Sequence, residues 1–195
     1  MGHSLRCGLN APPKASQASV SGVACETQTC FNERSVSGQA RLKVIPLSTR
    51  LIVDGSAIGN PRPGGWCCIL RGGEAERVLT GGETATTNNR MELTAAIQGL
   101  RALRGVCKVQ VVTDSQYLSK GMSEYISRWK VEGWRGANGK RVLNPDLWEE
   151  LLALTTGHQI QWTWVRGHTG NNEDQERADR LARAAGRQQA EAVHA

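Results

Sequence analysis

The sequence predicts an α/β fold, a five-stranded mixed sheet in the order βββαβααβα with helices on both faces. Three observations carry this reading. Apolar runs of strand length open the patterned region and recur later in it. Stretches with apolar residues three and four apart separate the later strands. Turn-forming Gly and Pro clusters punctuate the joins. Three strands ahead of any helix imply an antiparallel start, and strands reached through helices imply parallel crossovers.

The first strand is expected from Thr49 to Asp54 on the run Leu51-Ile52-Val53. A Gly/Pro loop over residues 59–65 leads to a second strand, Trp66 to Arg71. A hairpin through Gly72-Gly73 enters a third, near Arg77 to Thr80. The first helix spans about Asn89 to Arg104, because Leu93, Ala96, Ile97, Leu100 and Leu103 form one stripe. Lys108 to Thr113 reads as a strand, Ser115 to Trp129 as helical, and Pro145-Asp146 as the opening of another helix, where Pro suits the first turn. A strand from Gln159 to Val165 and a helix from about Glu173 to Arg187 complete the pattern. Ile160, Trp162 and Trp164 alternate onto one face of that strand, which is expected to be a core face.

The organisation is one domain over residues 49–188, preceded by a basic extension, 1–48, and followed by a short tail, 189–195. The extension is rich in Ser, Ala, Gly, Gln and Pro, shows no sustained period, and is expected to be disordered. A loose electrostatic arm, a solvated tail and an organellar transit sequence are all compatible with it, since no acid precedes Glu26. No apolar stretch approaches the roughly 20 residues of a membrane span and the N-terminus lacks the apolar core of a secretory signal, so a soluble, intracellular, cytoplasmic protein is expected. With no sign of a dimer helix or an unusually apolar edge, it is expected to be a monomer. Six cysteines with neither C-x-x-C spacing nor a disulfide-like framework read as thiols, and Cys67 and Cys68 as small core residues. The net charge of +6 and pI near 9.2 favour an anionic partner, nucleic acid before membrane surface.

Asp54, Glu92, Asp114 and Asp179 hold the strongest chemical signal. Asp54 and Asp114 each close an apolar strand, Glu92 borders the apolar stripe of its helix, and Asp179 lies beside Ala178, Leu181 and Ala182. Any one of them alone reads as a cap, a turn residue or half of an ion pair. Four together at buried positions repel one another by several kcal/mol unless cations or hydrogen bonds offset the charge. Hard oxygen ligands suit Mg²⁺ or Mn²⁺ rather than zinc. Binding crevices in such sheets lie at the carboxyl ends of strands, where two of the acids are placed.

The segments around these acids read Ile52-Val53-Asp54-Gly55-Ser56 with Gly59-Asn60-Pro61, Thr87-Asn88-Asn89-Arg90-Met91-Glu92-Leu93, and Thr113-Asp114-Ser115-Gln116-Tyr117. They continue with Val165-Arg166-Gly167-His168-Thr169-Gly170 and Glu176-Arg177-Ala178-Asp179. Over residues 50–187 the series resembles bacterial-type ribonuclease HI. The resemblance implies the ribonuclease H-like fold and cleavage of the RNA strand of RNA–DNA hybrids, leaving 3′-hydroxyl and 5′-phosphate ends. It implies two Mg²⁺ ions, with Mn²⁺ as a substitute, held by Asp54, Glu92, Asp114 and Asp179. Asp54 is expected to bridge them, and His168, in its Gly-flanked loop, to assist catalysis or product departure.

By the same resemblance Gly55, Ser56, Asn60, Thr87, Asn88, Asn89 and Gln116 line the substrate, the amides reading minor-groove edges and 2′-hydroxyls. Asn89 doubles as the expected helix cap. Between Lys120 and Arg141 six cations face only Glu124 and Glu132. Tyr125, Arg128, Trp129, Lys130, Trp134 and Arg135 there resemble the basic handle of the family, suited to a phosphate backbone and sugar faces. At least one of the tryptophans is expected to be tucked under the handle. Three departures stand out: Ala85 and Arg128 where the family pattern has Arg and Asn, a His168–Asp179 loop a residue longer, and Gln175 in place of Asn.

Overall fold

The computed structural model describes residues 49–58, 62–167, 169 and 172–194. The expectation of disorder over 1–48, and the roles expected of Asn60 and His168, lie outside the described residues. The elements are β1 (Thr49–Ala57), β2 (Arg62–Gly72), β3 (Ala75–Thr86), α1 (Asn88–Arg101), β4 (Lys108–Thr113), α2 (Gln116–Lys120), a π-helical turn (Gly121–Tyr125), α3 (Ile126–Val131), α4 (Pro145–Thr155), β5 (Gln159–Trp164) and α5 (Glu173–His194). The sheet order is β3-β2-β1-β4-β5. β1 is central, antiparallel to β2 and parallel to β4, which in turn runs parallel to β5.

Strand parity divides the core in two. Leu51, Val53, Val109 and Val111 pack with α1, α4 and the α2–α3 segment around Trp148, Leu118 and Leu151. Ile52, Cys67, Ile69 and Val112 point the other way, onto Ala178 and Ala182 of α5. Cys67 and Cys68 are buried thiols, and burial pushes both upward in pKa, Cys67 to about 12, which suits inert core residues. No helix among the described residues is long and apolar enough to cross a membrane.

Several expected boundaries move. β1 does not stop at Asp54, because its ladder with β2 continues through Gly55↔Trp66, Ser56↔Gly65 and Ala57↔Gly64. β2 accordingly absorbs part of the expected Gly/Pro loop. β3 is far longer than Arg77–Thr80: an edge strand with one covered face shows little burial and hence little apolar signal. The helix expected to end near Arg187 runs to His194, so the region expected as a tail continues α5 on good helix formers such as Gln and Ala. Thr87, not Asn89, caps α1, accepting from the backbone N–H of Arg90 at 3.3 Å. Trp164 departs from the core face expected of it: it is 44% exposed, at the end of the edge strand β5, while Ile160 and Trp162 pack inward.

Candidate active site

Asp54 shares the parity of Ile52 and Asp114 that of Val112, so both carboxylates rise on the α5 face of the sheet. The β1–β4 register ends at Ile52↔Val112, two residues before each acid, so the two follow matched positions of adjacent parallel strands. β4 stops at Thr113 while β1 runs on, which opens the sheet beside Asp54. Asp179 comes to the same face from α5, one residue beyond the buried Ala178.

Glu92 arrives from the opposite side, in the second turn of α1. Its approach depends on Gly55, where a Cβ would sit 2.2 Å from the Glu92 backbone nitrogen. No side chain fits between β1 and α1 there. Glu92 is 8% exposed, accepts from Asn88 Nδ2 at 3.2 Å, and accepts a short hydrogen bond from the Ser115 hydroxyl. Asn88 also takes the Ala57 backbone N–H on its Oδ1 at 3.0 Å, tying the end of β1 to the start of α1. Ser115 caps α2 by accepting from Leu118 N at 3.1 Å, so one hydroxyl fixes both a helix start and a site carboxylate.

Gln175, in the first turn of α5, is 2% exposed and donates from Nε2 to Asp114 Oδ1 and to the Val53 carbonyl, each at 3.2 Å. It braces Asp114 against β1, while its own Oε1 has no partner among the described residues. Asp179 accepts from Arg183 Nε at 2.8 Å, one turn along α5. Trp164 donates its indole N–H to the Asp114 carbonyl at 2.9 Å, and a Cβ on Gly167 would meet Asp114 Oδ2 at 2.2 Å. Ser115, Trp164 and Arg183 are supports that sequence reasoning did not single out. The Asp-Ser-Gln start of a helix was a usable N-cap signal for the first; the other two depend on tertiary placement alone.

The electrostatics tie the four acids together. Burial, then Asp114, Asp179 and Glu92 nearby, push the Asp54 carboxyl up to about 8, against a small lowering from the Gly55 N–H. Glu92 is pushed up to about 7, chiefly by burial and also by Asp114, with Ser115 and Asn88 opposing. The sequence reading expects a tight convergence. Among the described residues, however, no group of three or more His, Cys, Asp or Glu side chains is close enough to hold an ion as it stands. Among the described residues Glu92, Asp114 and Asp179 each accept from a polar side chain, and the Gly55 N–H partly opposes the rise at Asp54. The residues nonetheless fit a divalent cation, because the donors are hard carboxylate oxygens and burial with mutual repulsion disfavours the negative charge on Asp54 and Glu92, which a cation would offset.

Among the expected substrate residues, Gly55, Ser56, Thr87, Asn88, Asn89 and Gln116 gather near the open end of β1 and β4, with Asn88 and Gln116 exposed. The handle residues stand apart on the α3 segment. Tyr125, Arg128, Lys130 and Arg135 are exposed, whereas Trp129 and Trp134 are half-buried and packed on the core. Trp129 stacks against the fully buried Trp148 at 5.5 Å, and Tyr125 against Trp129 at 5.6 Å, so aromatic contacts root the handle. Ala85 is exposed, and Arg128 pairs with Glu132 at 3.6 Å.

Comparison with known proteins places the fold in a family. The RNase H family model covers residues 48–187. The Ribonuclease H of Halorhodospira halophila is 57% identical over 129 residues, 66% of this chain and 86% of that protein. That of Solibacter usitatus is 53% identical over 140 residues, 72% of this chain and 95% of that protein. Among solved structures, LC9-RNase H1, described as a type 1 RNase H with the type 2 active-site motif, superposes with a TM-score of 0.65 at 32% identity, covering 74% of this chain and 75% of its own. The N-terminal RNase H domain of rv2228c from Mycobacterium tuberculosis does so at 0.58 and 25%, covering 75% and 99%. On the family match, the identities and the shared five-stranded fold, the chain belongs to the ribonuclease H family and is a nuclease of that family.

Proposed function

We propose that this enzyme hydrolyses the RNA strand of RNA–DNA hybrids, leaving 3′-hydroxyl and 5′-phosphate ends, and that Asp54, Glu92, Asp114 and Asp179 are its metal ligands. The observation that carries the reading is that Asp54 and Asp114 follow matched positions of adjacent parallel strands on the face that meets α5, with Asp179 coming from α5 and Glu92 from α1 against Gly55. Two divalent cations bound there, Mg²⁺ with Mn²⁺ as a substitute, would supply water activation and offset charge on the scissile phosphate and the departing 3′ oxygen. Asp54 stands on the central strand, which supports giving it the role of a ligand shared by both ions. Ser115, Asn88 and Gln175 hold Glu92 and Asp114 in register for them. His168 is assigned proton transfer or product departure. Asn60, Asn88, Asn89 and Gln116 read 2′-hydroxyls and minor-groove edges, and the α3 handle tracks the DNA backbone. The enzyme is read as a cytoplasmic monomer.

One gel assay tests this. RNA–DNA hybrid, single-stranded RNA and duplex DNA are incubated with Mg²⁺, with Mn²⁺ and with EDTA. The expected outcome is metal-dependent cutting of the RNA strand in the hybrid alone, with products that accept 3′ extension. Hybrid binding without cutting would indicate a binding module, and cutting of duplex DNA a transposase-like activity.

A further inference from the structure

We propose that the cleft between the end of β1 and α5 is a phosphate subsite for the RNA strand, with Arg187 and Arg183 as its cations. The inference rests on the hybrid-cleaving reading and says where that strand runs beyond Asp54. The cleft has a volume of about 320 Å³ and is lined by Ser56, Ala57, Ile58, Arg183, Gly186 and Arg187. Its lining residues follow two of the acids along the same elements, Asp54 on β1 and Asp179 on α5. Ser56 lies on the same strand face as Asp54, roughly 7 Å further along β1. Arg183 and Arg187 follow Asp179 by one and two turns of α5, roughly 6 and 12 Å.

Backbone packing builds this geometry. Ser56 pairs with Gly65 and Ala57 with Gly64 in the β1–β2 ladder. A Cβ at Gly65 would lie 2.3 Å from both Ala182 O and Gly186 N, and one at Gly186 would lie 3.1 Å from Gly65 N. The helix therefore rests directly on the strand next to Ser56, and this contact sets the height at which the two guanidinium groups stand over the end of β1.

The chemistry selects an anion. Arg183 is engaged by Asp179 at 2.8 Å, but Arg187 makes no ion pair among the described residues. The other lining offers one hydroxyl, from Ser56, and the apolar Ala57 and Ile58, the latter 54% exposed. A guanidinium fork beside a hydroxyl donor matches a phosphodiester, and an apolar wall suits the sugar next to it. The RNA strand is the occupant because the cleft opens on the face that carries Asp54, whereas the exposed handle cations stand on a separate segment, α3. The subsite takes a phosphate roughly two to four nucleotides from the scissile bond, given about 3.4 Å of axis per nucleotide.

The test measures hybrid binding in EDTA by wild type, Arg187→Ala and Arg187→Glu at several salt concentrations. Arg187 is exposed, so neither change burdens folding. Arg187→Ala is expected to weaken binding roughly threefold to tenfold and to lower the salt slope by about one, with Arg187→Glu weaker still. Hybrids carrying single neutral methylphosphonates then locate the contact. One RNA-strand position near the cut should weaken the wild type but not Arg187→Ala. Unchanged affinity and slope in both variants, or a lost contact that maps to the DNA strand, overturns the subsite. Failure of the wild type to cut hybrid in the earlier assay overturns the functional reading instead.

Discussion

The two faces of the sheet are built in opposite ways. The α1 face is filled by large side chains, with Trp148, Leu118, Leu151, Leu93 and Ile97 all buried, and an aromatic row carries that core out to the handle. The α5 face is thin: beneath Ile52, Ile69 and Val112 it meets Ala178 and Ala182, and backbone touches backbone at Gly65 and Gly186. A filled face supplies stability because buried apolar area scales with side-chain size. The thin face leaves a shallow edge on which three carboxylates emerge. Stability and the proposed chemistry thus fall on opposite sides of one sheet, and Glu92 is the member of the candidate site that crosses between them.

Removing the chemistry should spare the fold. Asp54→Asn is expected to lower hybrid turnover by roughly a thousandfold or more while hybrid affinity changes by only about a few-fold, since the handle and amide contacts proposed above would remain. Turnover within about tenfold of wild type, measured at saturating Mg²⁺, would remove Asp54 from the centre of the site. Damage to the filled face should do the reverse. Trp148→Ala empties the middle of the aromatic row and is expected to lower unfolding stability by about 3–5 kcal/mol in urea titrations. In protein that remains folded, the deficit should appear in hybrid affinity, through Trp129, more than in turnover.

The thin face predicts a third response. Gly65→Ala places a Cβ against helix backbone, which no rotamer change relieves, so α5 must shift. The expected cost is about 1–3 kcal/mol, but turnover should fall more than that loss implies, because Asp179 and Gln175 travel with the helix. A stability loss with normal turnover in the folded fraction would show that the acids do not depend on this contact.

The sequence made the α1 side and the four acids legible for a physical reason: large apolar residues at helical spacing, and charged residues inside them, are both visible as pattern. Leu93, Ala96, Ile97 and Leu100 marked α1 and thereby flagged Glu92. What failed to show was whatever depends on backbone contact or exposure. β3 is an edge strand without apolar alternation, and its length is set by pairing with β2. β1 passes Asp54 because Gly64 and Gly65 pair with it, although Gly reads as loop. Trp164 follows the alternation of a core face, yet it stands at the end of an edge strand, 44% exposed. Gln175 read as a departure from the family pattern; its role as a brace to Asp114 and Val53 is tertiary.

The smallest expected effect concerns the charge held on the thin face. Asp54 titrates near 8 rather than at its usual 3.8, and Glu92 near 7 rather than 4.5. Between about pH 4 and pH 8 the folded chain therefore keeps protons that the unfolded chain has released. Stability without metal must fall as pH rises through that window, since the folded state binds more protons. Asp54→Asn removes the larger part of this dependence. In EDTA at pH 8 the variant should melt about 3 °C or more above wild type, and the gap should close toward pH 4. Mg²⁺ at pH 8 should raise the melting temperature of the wild type more than that of the variant, because the cation offsets the same repulsion. A gap that is equal at pH 4 and pH 8 would mean that Asp54 does not carry the strain of the cluster, and that the thin face is stabilised in some way other than neutralisation of its acids.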